Sequence, residues 1–207
     1  MHAGLLLCLA FLCPAQYDSK TAPSQGAENT SSTQTPTYTA DGRLMFPANY
    51  REWIYLTSGV DMSYSPNAMA MGHSTFDNVF VNPESYRAFL QTGTWPDKTM
   101  LVLEARMAGS KASINKSGHY QTSDLMAREV HVKDESRFPG KWAFFGFEEL
   151  TPAKLVPKEA ACYSCHEQHA AVDTTFVQFY PTLIELARKK GTLSTGYLKD
   201  EAASAKR

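Results

Sequence analysis

The chain has no excess of charge of either sign. Its 207 residues carry 20 Lys and Arg against 21 Asp and Glu, a formal net charge of −1. A nucleic-acid binder usually shows a basic excess, so that class is disfavoured. Long apolar runs are also short here. The apolar N-terminal stretch Leu5 to Leu12, LLLCLAFL, falls well below the roughly 20 residues a bilayer-spanning helix needs. Cysteine is scarce, with four in all, a number compatible with two disulfides or one metal site. Their positions divide them: Cys8 and Cys13 lie at the extreme N-terminus, Cys162 and Cys165 near the C-terminus. Aromatic residues are not scarce. At 12%, with eleven Phe, they argue against a disordered chain.

Four segments follow from composition. Residues 1–15 match the apolar region of a secretory signal peptide, although only His2 supplies a charge ahead of it. Cleavage is expected after Ala15 or Gln16, and Cys8 and Cys13 leave with the leader. A lipoprotein needs a small residue before its cysteine. Leu7 and Leu12 fill those places, so periplasmic or otherwise exported protein is the expectation. Residues 16–42, rich in Ser, Thr, Gln, Ala and Pro, read as a disordered linker. Residues 43–190 are long enough for one domain, and 191–207 read as a flexible tail.

Strand-like runs occur at Trp53 to Thr57, Phe76 to Val81, Leu101 to Met107, Met126 to Val132 and Trp142 to Phe147. In the third, Leu101, Leu103, Ala105 and Met107 share one face, with Glu104 and Arg106 on the other. In the fourth, Glu129 and His131 share a face. Pro83 opens a short helix that ends near Gly93, the order of proline and glycine that suits a helix. These strands do not alternate with long helices. The fold class expected is therefore α+β: a mainly antiparallel sheet with flanking helices and a C-terminal helical segment.

That last segment carries the chemistry. Cys162-Tyr163-Ser164-Cys165-His166 is C-x-x-C-H, the attachment pattern of c-type haem. Two thiols one helical turn apart can add to the two vinyl groups of one porphyrin, and the following imidazole then reaches the iron as proximal ligand. Cys162, Cys165 and His166 are the expected cofactor-binding residues, His166 the expected metal ligand, and one covalent haem c per chain the expected cofactor. Three other readings compete. A thioredoxin-like pair would follow a strand in a βαβ unit, a pattern missing here. A zinc site could count Cys162, Cys165, His166 and His169, but at crowded spacing for a tetrahedron. A plain disulfide suits an exported protein. Beyond the motif, Phe176, Val177, Tyr180, Leu183 and Ile184 recur at helical spacing, interrupted by Pro181.

No methionine follows His166, which excludes the usual small electron carrier with a downstream Met ligand. Upstream candidates for a sixth ligand are Met62, Met69, Met71, Met100, Met107 and Met126, with His73, His119 and His131. The alternative is five-coordinate iron open to small gases or peroxide; a closed, six-coordinate iron only passes electrons.

Taken in order, several segments resemble the cytochrome P-460 family, which includes the cytochromes c′-β. They are Pro47-Ala48-Asn49-Tyr50-Arg51-Glu52-Trp53, Asn78-Val79-Phe80-Val81-Asn82-Pro83-Glu84-Ser85-Tyr86, Val132-Lys133-Asp134, Arg137-Phe138, Trp142-Ala143-Phe144-Phe145, the haem motif, and Phe179-Tyr180-Pro181. The resemblance runs from about Phe46 to Lys190. It implies a mainly antiparallel sheet with helices, a periplasmic homodimer, and a haem on the C-terminal motif. In the P-460 enzymes, which oxidise hydroxylamine, a lysine is also bonded to the porphyrin edge. Counted from Thr92-Gly93, its place here is Leu103, which has no nucleophile; Lys98 and Lys111 are the nearest substitutes. An arginine of one type of P-460 enzyme corresponds to Asp77, a candidate distal base or hydrogen-bond acceptor, with His73 as the weaker candidate. Members without the lysine resemble cytochrome c′-β, which binds nitric oxide and carbon monoxide under an apolar cap. Phe46, Phe76, Phe80, Phe144 and Phe145 are candidates for that cap. The resemblance thus points to a binder of nitric oxide, carbon monoxide or another small ligand, served by a redox partner protein. An oxidoreductase acting on hydroxylamine or nitric oxide, or a six-coordinate electron carrier, is the alternative.

Overall fold

Five β-branched and aromatic runs become five strands: β1 (Ile54–Val60), β2 (Thr75–Val81), β3 (Met100–Gly109), β4 (Tyr120–Lys133) and β5 (Trp142–Phe147). They pair in chain order, every neighbour antiparallel. Four α-helices accompany the sheet among the described residues: α1 (Pro83–Thr92), α2 (Ala161–His169), α3 (Ile184–Lys190) and α4 (Thr195–Ser204). The computed structural model describes residues 34–63 and 73–206. The predicted signal peptide, residues 16–33 of the predicted linker, and Met69 and Met71 lie outside them. The α+β prediction with an antiparallel sheet and flanking helices holds.

The period of two along each strand gives the sheet two faces, and each has its own core. On one, Val81, Leu101 and Trp142 pack with Phe89 of α1, Trp95, and Val172, Val177 and Leu183 from the segment after α2. On the other, Met100, Val102, Val130, Val132, Phe145 and Phe147 are covered by Leu44, Tyr50 and Trp53. Pro83 stands in the first turn of α1, and Gly93 ends that helix at φ 76°. A Cβ at Gly93 would come within 2.8 Å of Lys190 Cβ. Only glycine therefore allows the left-handed cap and the close approach of α3 together.

Several expectations need correction. β4 begins at Tyr120 rather than near Met126, because its first half pairs with the far end of β3: Leu125 with Arg106, Gln121 with Ala108 and Tyr120 with Gly109. That arm is mostly exposed, so no apolar alternation marks it. The linker ends earlier than composition suggests. Tyr38 bridges to Leu44, sets its ring 6.2 Å from that of Phe138 and donates its hydroxyl to Asp134 at 3.3 Å. One aromatic anchor in a polar stretch is invisible to composition. The predicted flexible tail contains α4. Ser194 caps it by accepting the Tyr197 amide at 3.0 Å, and Arg188 pairs with Glu201 at 2.6 Å. Finally, the helical stripe after the haem motif is broken up. Val177–Phe179 form one 3-10 turn, and α3 starts only after Pro181, whose ring and missing N–H do not allow a continuous helix.

Candidate functional site

Cross-strand registers build one continuous floor. Val79 lies opposite Leu103, Leu103 opposite Glu129, and Glu129 opposite Gly146. In the next row Leu101 lies opposite His131, and His131 opposite Phe144. This face forms one wall of a cavity of about 240 Å³, partly open to solvent. The facing wall comes from α2 and the chain after it: His166, Thr175, Phe176, Phe179 and Tyr180. The lining is mainly apolar and aromatic with a few polar groups, the usual make-up of a small-molecule or cofactor site.

α2 carries the C-x-x-C-H motif. Its anchor is Tyr163, between the two cysteines. The hydroxyl accepts the Phe144 amide at 3.3 Å and donates to the Val156 carbonyl at 3.1 Å, tying the helix to β5. Cys162 and Cys165 are half-buried, unbridged thiols. Burial, then the neighbouring Cys162, pushes the Cys165 thiol pKa up. The disulfide reading is therefore not the state seen. The zinc reading also lacks its ligand set. Among the described residues no group of three or more His, Cys, Asp and Glu gathers at metal-holding distance, and His169 bonds Asp200 at 2.6 Å instead.

His166 faces the cavity with its Nδ1 2.8 Å from the Thr174 carbonyl. A carbonyl only accepts, so the neutral ring keeps its proton on Nδ1 and its lone pair on Nε2. Burial lowers the His166 pKa, against the opposing pull of the Thr174 carbonyl, and so favours the neutral ring that binds metals. Phe144 and Phe176 pack against the ring at 4.7 and 4.2 Å between centroids. This is the donor pattern of a metal-binding histidine with a carbonyl behind it. With two thiols on the same helix and an aromatic cavity in front, the residues fit a haem.

The other candidates separate clearly. Asp77 lines the cavity, and so does Met62. His131 also lines it, stacked on Phe144 at 3.9 Å. Its pKa falls well below the ordinary value, through burial first and then the nearby His166 and Lys158. Met100 belongs to the opposite core, Met126 is exposed, and His73 and His119 are exposed. Of the five cap candidates, Phe144 lines the cavity. Phe46, Phe80 and Phe145 pack on the other face, which Phe76 shares by strand alternation with Phe80. Phe176, a member of the predicted stripe after the motif, and Phe179 contribute further rings. Leu103 lines the cavity, and no lysine does so among the described residues. Lys98 is bound instead to Asp134 and, at 3.2 Å, to Ser136. Lys111 sits at φ 58° in the β3–β4 connection.

Glu129 shares its strand face with His131 by alternation, without a motif to mark it. It is exposed, yet it lines the cavity. Both cavity carboxyls have raised pKa values: Asp77 through burial and then Asp61, Glu129 through burial and then Asp77. Gly146 stands opposite Glu129, with open space where a Cβ would be, and no sequence signal marks the pair. The face that carries Glu104 is covered as well. Glu104 is 1% exposed and accepts from Tyr50, Arg51 and Arg106.

The family model described as Cytochrome P460 matches residues 47–177. This span runs from the segment before β1 through the motif to Phe176 of the facing wall. No curated protein matches the chain.

Proposed function

The chain belongs to the cytochrome P460 family, and from that premise we propose that this haem cytochrome is an exported, mono-haem c-type protein that binds small gases such as nitric oxide or carbon monoxide. Cys162 and Cys165 would hold the porphyrin as thioethers, and His166 would be the proximal ligand through Nε2. Haem, when bound, supplies an iron that changes oxidation state and takes a small ligand at an open position. The chain's own residues do the rest. The Thr174 carbonyl fixes the His166 ring, and Val79, Leu101 and Leu103 keep the sheet wall apolar. Phe176 and Phe179 shield the facing wall. Met62 and His131 are the sixth-ligand candidates that line the cavity; His131 Nε2 is turned to Thr174 Oγ1, and the position is left open to gas.

The observation that carries this reading is Leu103 on the cavity floor, with no lysine among the described lining residues. The cross-link that marks the hydroxylamine-oxidising members has no amine to form from. A second reading, oxidation of hydroxylamine or a related small N–O compound, is favoured by Asp77 and Glu129. Such an oxidation releases protons with its electrons, and two cavity carboxyls can accept them. A redox partner protein and a homodimer belong to the proposal by resemblance alone, as does the periplasm.

The test is the ferrous absorption spectrum with and without carbon monoxide. A high-spin spectrum converted by the gas, with an ordinary c-haem Soret band, is expected. A low-spin spectrum that the gas leaves unchanged overturns gas binding, and a strongly red-shifted Soret band favours the second reading. Mass spectrometry of a digest should place the haem on the Cys162–Cys165 peptide.

A further inference from the structure

Residues 172–175 form a tight turn closed by reciprocal backbone bonds of 3.3 and 2.9 Å between Val172 and Thr175. Asp173 occupies φ 52° within it, a left-handed value that short polar side chains tolerate best after glycine. The turn presents the Thr174 carbonyl to His166. Three side chains from the sheet side hold this turn, one at each of its last three residues. His131 Nε2 lies 3.3 Å from Thr174 Oγ1. Trp95 donates its indole N–H to Thr175 Oγ1 at 2.8 Å, and Thr175 passes its own proton to the Val172 carbonyl at 2.8 Å. Lys133, the last residue of β4, pairs with Asp173 at 3.2 Å and donates to the Trp95 carbonyl at 2.6 Å.

Lys133 is the unusual member. Its side chain is only 8% exposed, and lysine is rarely so buried unless its ammonium has partners. Its nearest partners are the turn and the tryptophan that holds the turn, with Glu135 farther off at 3.9 Å and the Trp142 ring centroid 5.7 Å away. If filling space were the need, methionine would fill it without the cost of burying a charge.

We propose that Lys133 and Asp173 are positioning residues for His166. Their ion pair, with Trp95, locks the 172–175 turn so that the Thr174 carbonyl holds the proton on Nδ1. It thereby sets how strongly the ring donates through Nε2. A firm hydrogen bond at the far nitrogen makes an imidazole a stronger ligand and favours the oxidised metal. The inference rests on the reading of His166 as proximal ligand.

The test uses the haem-loaded protein and the double variant Lys133→Met, Asp173→Asn. This variant removes the ion pair without changing net charge, and asparagine still accepts the left-handed backbone. Resonance Raman of the ferrous protein reads the iron–histidine stretch, and a redox titration reads the midpoint potential. The expected result is a stretch shifted to lower frequency and a potential shifted upward, with both kept near the parent values in Lys133→Arg. A stretch and a potential that stay in place, with only thermal stability lost, overturn the proposal. Should the double variant fail to fold, Asp173→Asn alone is read by the stretch, with the same downward shift expected. An iron–histidine band present in the parent protein but unmoved by every variant overturns this inference alone. A parent protein without that band overturns it together with the five-coordinate, His166-bound iron of the proposed function.

Discussion

Leu103 and Glu129 stand directly opposite each other across β3 and β4, both facing the cavity. The apolar partner and the cavity walls crowd the carboxyl, which stays exposed at the open cavity, and Asp77 adds a second acid on the same face. Burial, then the Asp77 charge, raises the Glu129 pKa. Burial, then Asp61, raises that of Asp77. A carboxyl whose pKa is higher folded than unfolded contributes stability at acid pH and loses it as pH rises through the raised value. Thermal melts taken between about pH 4 and pH 8 should therefore show stability falling in the lower part of that range from these two groups. The double variant Asp77→Asn, Glu129→Gln should have a flatter profile and melt higher at neutral pH. An unchanged profile would remove the two carboxyls as titrating groups.

Glu104 has the opposite sign. Burial alone would raise its pKa, but hydrogen bonds from Arg106 and Tyr50 and the charge of Arg51 outweigh it and hold the carboxyl below its ordinary value. Its contribution is present above the ordinary carboxyl range, near 4.3, and is lost as pH falls through the lowered value. Glu104→Leu leaves Arg106, which is 20% exposed at the side chain, without its ion-pair partner. The cost expected is roughly 2–4 kcal/mol at neutral pH, the lower part reflecting the exposed Arg51. Urea unfolding at pH 7 and at acid pH measures it, and the difference between parent and variant should shrink as pH falls.

The two cases also show what the sequence could and could not reveal. Alternation in Leu101 to Met107 correctly separated Leu103 from Glu104, and the five strands and α1 were legible from period and from the Pro83 and Gly93 signals. Alternation says which residues share a face, not what covers it. What covers the Glu104 face, Tyr50 and Arg51, lies some fifty residues earlier in the chain. The same limit hid the anchoring of Tyr38. The C-x-x-C-H spacing named the thiols and the imidazole, since that chemistry is local. It could not name Lys133 or Trp95, because the turn behind His166 is held by contacts 40 to 80 residues apart.

Leu103 occupies the place where the resemblance puts a cross-linking lysine, and it faces the cavity. Leu103→Lys returns the amine to that floor. The haem-loaded variant is expected to carry a third covalent bond to its haem, seen as a haem bound to two separate peptides in a digest. Its ferrous Soret band should move strongly to the red. Placing an ammonium among Val79, Leu101 and Glu129 should lower stability by about 1–3 kcal/mol, with Glu129 offsetting part of it. A variant that folds, binds haem and shows neither the bond nor the shift would place the cross-linking position elsewhere on the sheet.

The C-terminal helix tests how firmly the haem-motif helix is held. α4 crosses the end of α2 at Gly196, where a Cβ would meet the backbone oxygen of Gln168 at 2.1 Å. That oxygen cannot move aside as a flexible side chain could, so Gly196→Ala forces the two helices apart. Around this contact, Ser194 donates to the Ala170 carbonyl at 2.6 Å, its amide donates to the Ala171 carbonyl at 2.8 Å, and His169 pairs with Asp200. All four groups lie just beyond His166 on the same stretch of chain. Overpacking of this kind is expected to lower stability by about 1–3 kcal/mol. Because α4 buries no residue fully, the loss should appear as local opening rather than global unfolding. Hydrogen exchange should show faster exchange in residues 195–204 and at the C-terminal end of α2, with β3 and β4 unchanged. Leu198→Ala, at a side chain already 42% exposed, should leave exchange there close to the parent rate. If Gly196→Ala exchanges like the parent protein, α4 adds nothing to the rigidity of the helix that carries Cys162, Cys165 and His166.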